Sequence, residues 1–278
     1  MTRLRFPSLL TLIAAVGVLS VRLPAQTNCN EGAGPLTQDQ PQGIGAADII
    51  KRFSALESEF KDAQTHYSYT MEVSVQTLIG QDIDGEFRRL SDISYLQGRR
   101  MEHVIFAPQS TLRRIGLSKQ DFEDLDRSPF VLTTEDLPQY SVMYAGQQKV
   151  DLLNTYVFDV APKQIVRGKR YFQGKVWVET RDLAVVKSCG KTVPEEDPEA
   201  KKKRMKKKRR MPGDENVSPT LVTYREEFEH KYWFPVYVRS DDLLHFSYGD
   251  DVHLREVIKY TKYKRADADS RTVSVTQP

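Results

Sequence analysis

The sequence predicts an α+β protein, mostly antiparallel β: a strongly curved sheet of about ten strands, covered by an N-terminal helix and short helices. Three observations lead there. From Tyr67 onward, apolar and polar residues alternate with a period of two in one segment after another. A single long amphipathic helical stretch precedes them. Short turn signals ("QGRR", "ETRD", "EHK", "YGDD") separate the strands. An antiparallel sheet of this size with one apolar face must curl or be covered. A curved sheet under helices leaves an apolar gap between the layers, and that gap is the candidate site.

The chain of 278 residues opens on "MTRLRFPSLLTLIAAVGVLSVRLPAQ". Arg3 and Arg5 make a positive start, Phe6–Val21 is apolar, and "LPA" ends on a small residue at Ala25. This is the pattern of a secretory signal peptide, residues 1–25, cleaved near Ala25. The alternative is an uncleaved N-terminal anchor, although Pro7 and the short apolar run argue against a full span, which needs about 20 apolar residues. The mature chain therefore reads as exported and soluble.

Residues 26–45 are rich in Gly, Pro and Gln and read as a flexible tail. The domain proper is expected at 46–265. In "AADIIKRFSALESEFKDAQTHY", Ile49, Ile50, Phe53, Leu56 and Phe60 recur at helical spacing, which predicts a helix from Ala46 to about Ala63. Tyr67, Tyr69, Met71, Val73 and Val75 then alternate with Ser68, Thr70, Glu72 and Ser74, giving a strand with one wet face. "GEFRRLSDISYLQGRRMEHVIFAP" reads as two strands. Ser118, with Asp121 behind it, caps a short helix. "SVMYAGQQKVDLLNTYVFDVAPK" gives a strand pair in which Tyr156, Phe158 and Val160 share a face. In the next pair, Phe172, Val176 and Val178 point one way and Trp177 the other. About four more strands are expected between Thr220 and Arg265. Residues 266–278 read as a flexible C-terminal tail. No repeat of fixed period appears.

The run "KKKRMKKKRR", Lys201–Arg210, holds nine basic residues in ten positions and raises the question of nucleic acid. Charge and export both speak against it. Arg3, Arg5 and Arg22 of the signal account for the whole formal charge of +3. Outside the signal and the run, acidic side chains outnumber basic ones, so no basic face surrounds a binding site. Prolines, acids and Gly on both flanks mark 194–219 as a disordered, charged insertion between strands. The run serves either as solvated loop or as a contact to an anionic membrane surface, worth about 1 kcal/mol per base close to the lipid. The two cysteines, Cys29 and Cys189, are either bridged, as an oxidising compartment permits, or Cys189 is buried and Cys29 free.

"YFQGKVWVETRDLAVVK", an aromatic-Gly-x-x-Trp-Val-acid strand followed by Leu-x-Val-Val-Lys, resembles a hairpin of the LolA/LolB-like periplasmic lipoprotein carriers and the related outer-membrane lipoprotein-sorting family. "YWFPVYVRSDDLLHF" is similar to a later hairpin of the same group, and the order of leader, helix and strands agrees. The resemblance spans roughly 46–264. It implies an open half-barrel with helices as a lid over an apolar cavity that holds acyl chains, without covalent chemistry and without a cofactor. The basic insertion departs from the family pattern.

Tyr69, Met71, Val73, Phe87, Tyr156, Phe158, Val176 and Val178 lie on the apolar strand faces and are the candidate wall for acyl chains of a lipid or lipoprotein. Flexible Met and amphipathic Tyr suit an adaptable apolar surface. The plainer reading is a filled core. No Gly-x-Ser-x-Gly, Walker loop or His-Glu-x-x-His occurs. The most site-like polar cluster is Asp241, Asp242, His245, Asp250, Asp251 and His253. Oxygen-rich turns bind Ca²⁺ and His with Asp binds Zn²⁺, but a solvated turn has the same composition, so no metal and no catalytic residue is assigned. The function expected is carriage of acylated cargo for outer-membrane sorting. The alternatives are an envelope signalling module that binds a protein partner on the same scaffold, and a hydrolase built on 241–253.

Overall fold

The computed structural model describes residues 26–117, 132–194, 217–246 and 250–266. One helix, α1 (Ala46–Gln64), precedes ten strands: β1 (Tyr67–Ile79), β2 (Asp82–Leu96), β3 (Arg99–Phe106), β4 (Tyr140–Val150), β5 (Leu153–Pro162), β6 (Tyr171–Glu179), β7 (Val185–Val193), β8 (Leu221–Phe228), β9 (Tyr232–Leu244) and β10 (Val252–Arg265). All pairings are antiparallel in one open, curved sheet of order β3-β2-β1-β10-β9-β8-β7-β6-β5-β4. The chain therefore makes one meander up to β3, crosses to the far edge, and returns strand by strand until β10 closes on β1. This is the α+β half-barrel that the sequence predicts.

The turns follow backbone chemistry. Gln97 and Gly98 both take positive φ between β2 and β3, as a two-residue hairpin turn requires. Glu229 and His230 do the same between β8 and β9. Among the described residues, three strands, rather than about four, follow the charged insertion. "SDD" looks like a break, yet β9 runs through it, because buried Asp242 accepts backbone hydrogen bonds from Thr27 (2.6 Å) and Thr220 (2.6 Å). The short helix expected from Ser118, the signal peptide, and most of the insertion, including the basic run, lie outside the described residues.

Registers define the two faces. One row runs across nine strands as Tyr144, Phe158, Val176, Ser188, Thr223, Val238, Ile258, Val73 and Arg89. This inner face receives α1. Ile49 and Phe53 pack with Tyr156, Phe158, Val160, Val176 and Val178, and Phe60 packs with Tyr67 and Phe234. The buried helix stripe differs from the expected one. Ser54 and Glu57 are buried alongside Ile49, Phe53 and Phe60, while Ile50 and Leu56 are half-buried. The cause is an ion pair: Arg225 of β8 donates to both Glu57 oxygens, at 2.6 and 3.1 Å, and turns that side of the helix inward.

The segment 26–45, expected as a flexible tail, is attached to the sheet: Cys29 and Ala33 pack on the opposite, outer face, while Ile44 packs with the cluster under α1. Ala33 bridges to Val150 and Thr37 to Gln147 at the β4 edge. Cys29 is disulfide-bonded to Cys189 of β7, which settles the choice that the sequence leaves open. Thr27 sits beside Ser240 and Asp242, where β9 runs on past its pairing with β8. Beneath this strap lies a second apolar cluster of Val150, Val157, Trp177, Val186 and Val222. Trp177 thus points away from Val176 and Val178, as the alternation predicts.

Candidate functional site

The eight candidate wall residues share the inner face but fall into two groups. Tyr156, Phe158, Val176 and Val178 lie under α1 in one cluster. Phe158 and Val178 are fully buried, and the Phe53 ring stands 5.7 Å from that of Phe158. The helix fills the space above them with its own side chains. Met71 and Val73 belong to a separate cluster with Val75, Ile93, Val238, Leu254, Ile258 and Tyr260, against which Tyr69 and Phe87 pack half-buried. The helix residues Ile49, Phe53 and Phe60 are in other clusters. Among the described residues, cover from outside the strands comes from Leu112 and Ile115, on the segment after β3, and from Phe246 after β9. The segment after β3 is held to β2 by a backbone hydrogen bond from Thr111 N to Glu86 O, by the Thr111 hydroxyl, which accepts from Glu86 N, and by an Arg114–Asp84 ion pair. Gly85 permits it, since a Cβ there would stand 2.6 Å from the Thr111 carbonyl oxygen.

This second half of the inner face is aromatic and is edged by charge. The Tyr69 ring lies 5.8 Å from Tyr260 and 5.2 Å from Tyr263. Burial pushes the phenols of Tyr69 and Tyr260 above their ordinary range and keeps them neutral. At the β2–β3 rim, Glu102 accepts from Ser91 (2.6 Å) and pairs with Arg89 and Arg100 at 3.3 Å each. Burial raises the Glu102 carboxyl. The Ser91 hydrogen bond and the two guanidinium groups outweigh it and hold the group below its usual range. Sequence reasoning missed this seam, although Arg89, Ser91 and Ile93 continue the alternation that begins at Phe87. Along the adjoining edge, Met101, Val104, Ile105 and Phe106 of β3 are about half exposed. β3 is one of the two edges of the sheet.

The polar cluster 241–253 divides. Asp242 is committed to Thr27 and Thr220, as above. Asp241 faces the other way, contacts His253 and accepts from Arg255 at 3.1 Å. His245 stands 3.0 Å from Asp251. Among the described residues, no three His, Cys, Asp or Glu side chains are placed to hold one metal ion. Among them, too, no helix is long and apolar enough to cross a membrane.

No family model matches the chain, and no curated protein matches it. Solved structures do. A DUF1329 family protein from Desulfovibrio piger is 14% identical, over 86% of this chain and 100% of that one, with a TM-score of 0.36. An outer membrane lipoprotein-sorting protein domain from Vibrio parahaemolyticus is 12% identical, over 79% of this chain and 94% of that one, at 0.37. MucB, solved in complex with MucA(peri), is 11% identical, over 80% and 100%, at 0.22. TM-scores this far below 0.5 assign no function to this chain.

Proposed function

We propose that this is an exported, non-catalytic binding protein that holds acyl chains of a lipid or lipoprotein on the inner face of the half-barrel. The observation that carries this reading is the uneven cover of that face. α1 seals one half with Ile49, Phe53 and Phe60, whereas over the cluster of Met71, Val73, Ile93 and Tyr260 the described residues that pack from outside the strands are Leu112, Ile115 and Phe246. Tyr69, Met71, Val73 and Phe87 line the seat. Tyr156, Phe158, Val176 and Val178 join it only where α1 lifts. Each buried CH₂ contributes about 0.8 kcal/mol, and the Ser91–Glu102–arginine seam at the rim suits a polar headgroup. Residues 1–25 act as the signal peptide, the domain spans 46–265, and Lys201–Arg210 approaches an anionic membrane surface. Native mass spectrometry after gentle extraction tests the reading. Bound lipid is expected, and Phe87→Asp, which puts a charge among these side chains, abolishes it. Wild-type protein that is lipid-free and takes up no added acyl chain refutes carriage.

A second reading rests on the β3 edge. Its exposed Met101, Val104, Ile105 and Phe106 suit addition of an extended segment of an envelope protein partner. Recovery of one such protein by lipid-free protein, lost on Ile105→Lys, favours that reading.

A further inference from the structure

Binding on the inner face makes no use of the strap on the outer one. Residues 27–37 cross from β9 to the β4 edge. Their carbonyl groups serve side chains of the sheet: Lys187 Nζ donates to Glu31 O (3.2 Å), and Gln148 Nε2 donates to Gly34 O (2.7 Å). Trp177 Nε1 donates in turn to Gln148 Oε1 (2.7 Å). Beneath the strap, Trp177 and Lys187 are 0% exposed, with the Lys187 ammonium 4.8 Å from the Trp177 ring and 5.2 Å from the Tyr224 ring. Burial, and then the charge of Arg239, pull the Lys187 ammonium down to about 8. Cys29 and Ala33 are the strap residues that pack, partly buried, on the cluster below. The hold of the strap therefore depends on polar contacts and on one covalent tie. That tie borders open space. Half-buried Cys29 and buried Cys189 line an open pocket of about 410 Å³ shared with Met143, Lys191 and the ion pair of Lys175 with Asp159.

We propose that the Cys29–Cys189 disulfide is a modification site, opened by thiol–disulfide exchange with a dithiol partner entering through this pocket, and that its opening releases the strap and uncovers the Trp177–Lys187–Tyr224 cradle. The partner thiolate attacks Cys29 Sγ. The S–S bond breaks, and Cys189 leaves as a thiolate beside the lysine-bearing pocket. The second partner thiol, deprotonated, attacks the mixed disulfide and expels Cys29 as a thiolate. The partner ends as a disulfide, and the chain takes up two protons and ends as two thiols.

Dithiothreitol without denaturant is the probe. Thiol alkylation, amine labelling of Lys187 and amide exchange are read by mass spectrometry. Reduction is expected to leave both cysteines alkylated and Lys187 labelled about tenfold faster or more, with exchange rising in 27–37 and 144–150 but not in α1. Gly146→Ala supplies the control. Gly146 has φ +136°, and a Cβ there would stand 2.0 Å from Thr37 O. This variant loosens the β4 end of the strap while the disulfide stays closed, so Lys187 remains protected. The proposal is overturned by a disulfide inert to the dithiol, by Lys187 staying protected after reduction, or by reduction that deprotects the whole sheet.

Discussion

Arg225→Met isolates the contact that docks α1. The Glu57 and Arg225 side chains are 5% and 1% exposed and meet through two hydrogen bonds. The guanidinium also lies 5.0 Å from the Phe60 ring. Removing it leaves a carboxylate in an apolar layer, which costs about 3–5 kcal/mol. For a domain of this size each kcal/mol shifts Tm by about 2–4 °C, so a fall of about 6–20 °C is expected. Glu57→Leu combined with Arg225→Met removes both charges and keeps the volume, and should lie near wild type or above it. The cycle therefore shows strong coupling. It also carries a pH signature. Burial already raises the Glu57 carboxyl, against the lowering by Arg225. Without Arg225 it rises further. A folded-state value above the unfolded one penalises folding little at pH below the unfolded value and increasingly as pH climbs through the folded one. The deficit of Arg225→Met is thus larger at pH 8 than at pH 5. Urea unfolding at both pH values, on wild type, singles and double, measures it. Additive single effects, or equal deficits at the two pH values, refute a buried ion pair as the dock.

Three further outcomes are expected. Asp242→Ala leaves the N–H groups of buried Thr27 and half-buried Thr220 without their acceptor, at about 1–3 kcal/mol for the buried one and less for the other, and an unmoved urea midpoint contradicts this. Lys187→Met stabilises relative to wild type at pH 7, and the gain shrinks as pH rises through about 8; a depressed folded-state value makes wild type lose stability as pH falls through it, and a pH-independent gain contradicts the assignment. Deleting Lys201–Arg210 leaves Tm unchanged but weakens sedimentation with anionic vesicles, whereas a large drop in Tm makes the run structural.

Strand alternation made the sheet legible, because one face is buried across most of the strands and the period of two has to be kept there. Tyr67–Val75, Tyr156–Val160 and Phe172–Val178 all fall on the faces their spacing assigns. The helix was legible in extent but not in rotation. Hydrophobicity ranks Leu56 above Glu57, and only the distant Arg225 reverses that order. The strap was illegible for a related reason. Gly, Pro and Gln carry no periodic signal, and its anchors are backbone carbonyls that meet Lys187, Gln148 and Arg239, over 100 residues away in the chain. The cysteine pair alone carried a hint. The division of the candidate wall into two groups depends on which strands lie under α1, and strand order is not contained in local pattern.

Magnitudes favour the half without the helix as the seat for an acyl chain. A chain of about fifteen carbons gains at most about 12 kcal/mol on full burial. Seating it against Phe158 and Val178 requires lifting Ile49, Phe53 and Phe60 into water, at about 1.5–3 kcal/mol each. It also parts Glu57 from Arg225, so most of the gain is consumed by the opening. Against Met71, Val73 and Phe87, by contrast, the described residues outside the strands that have to yield are Leu112, Ile115 and Phe246, and the first two sit on a segment joined to β2 by a few contacts around Thr111. A variant that pins that segment should therefore slow acyl uptake, whereas one that pins α1 to β5 should not. Equal slowing by both would place the chain under the helix after all.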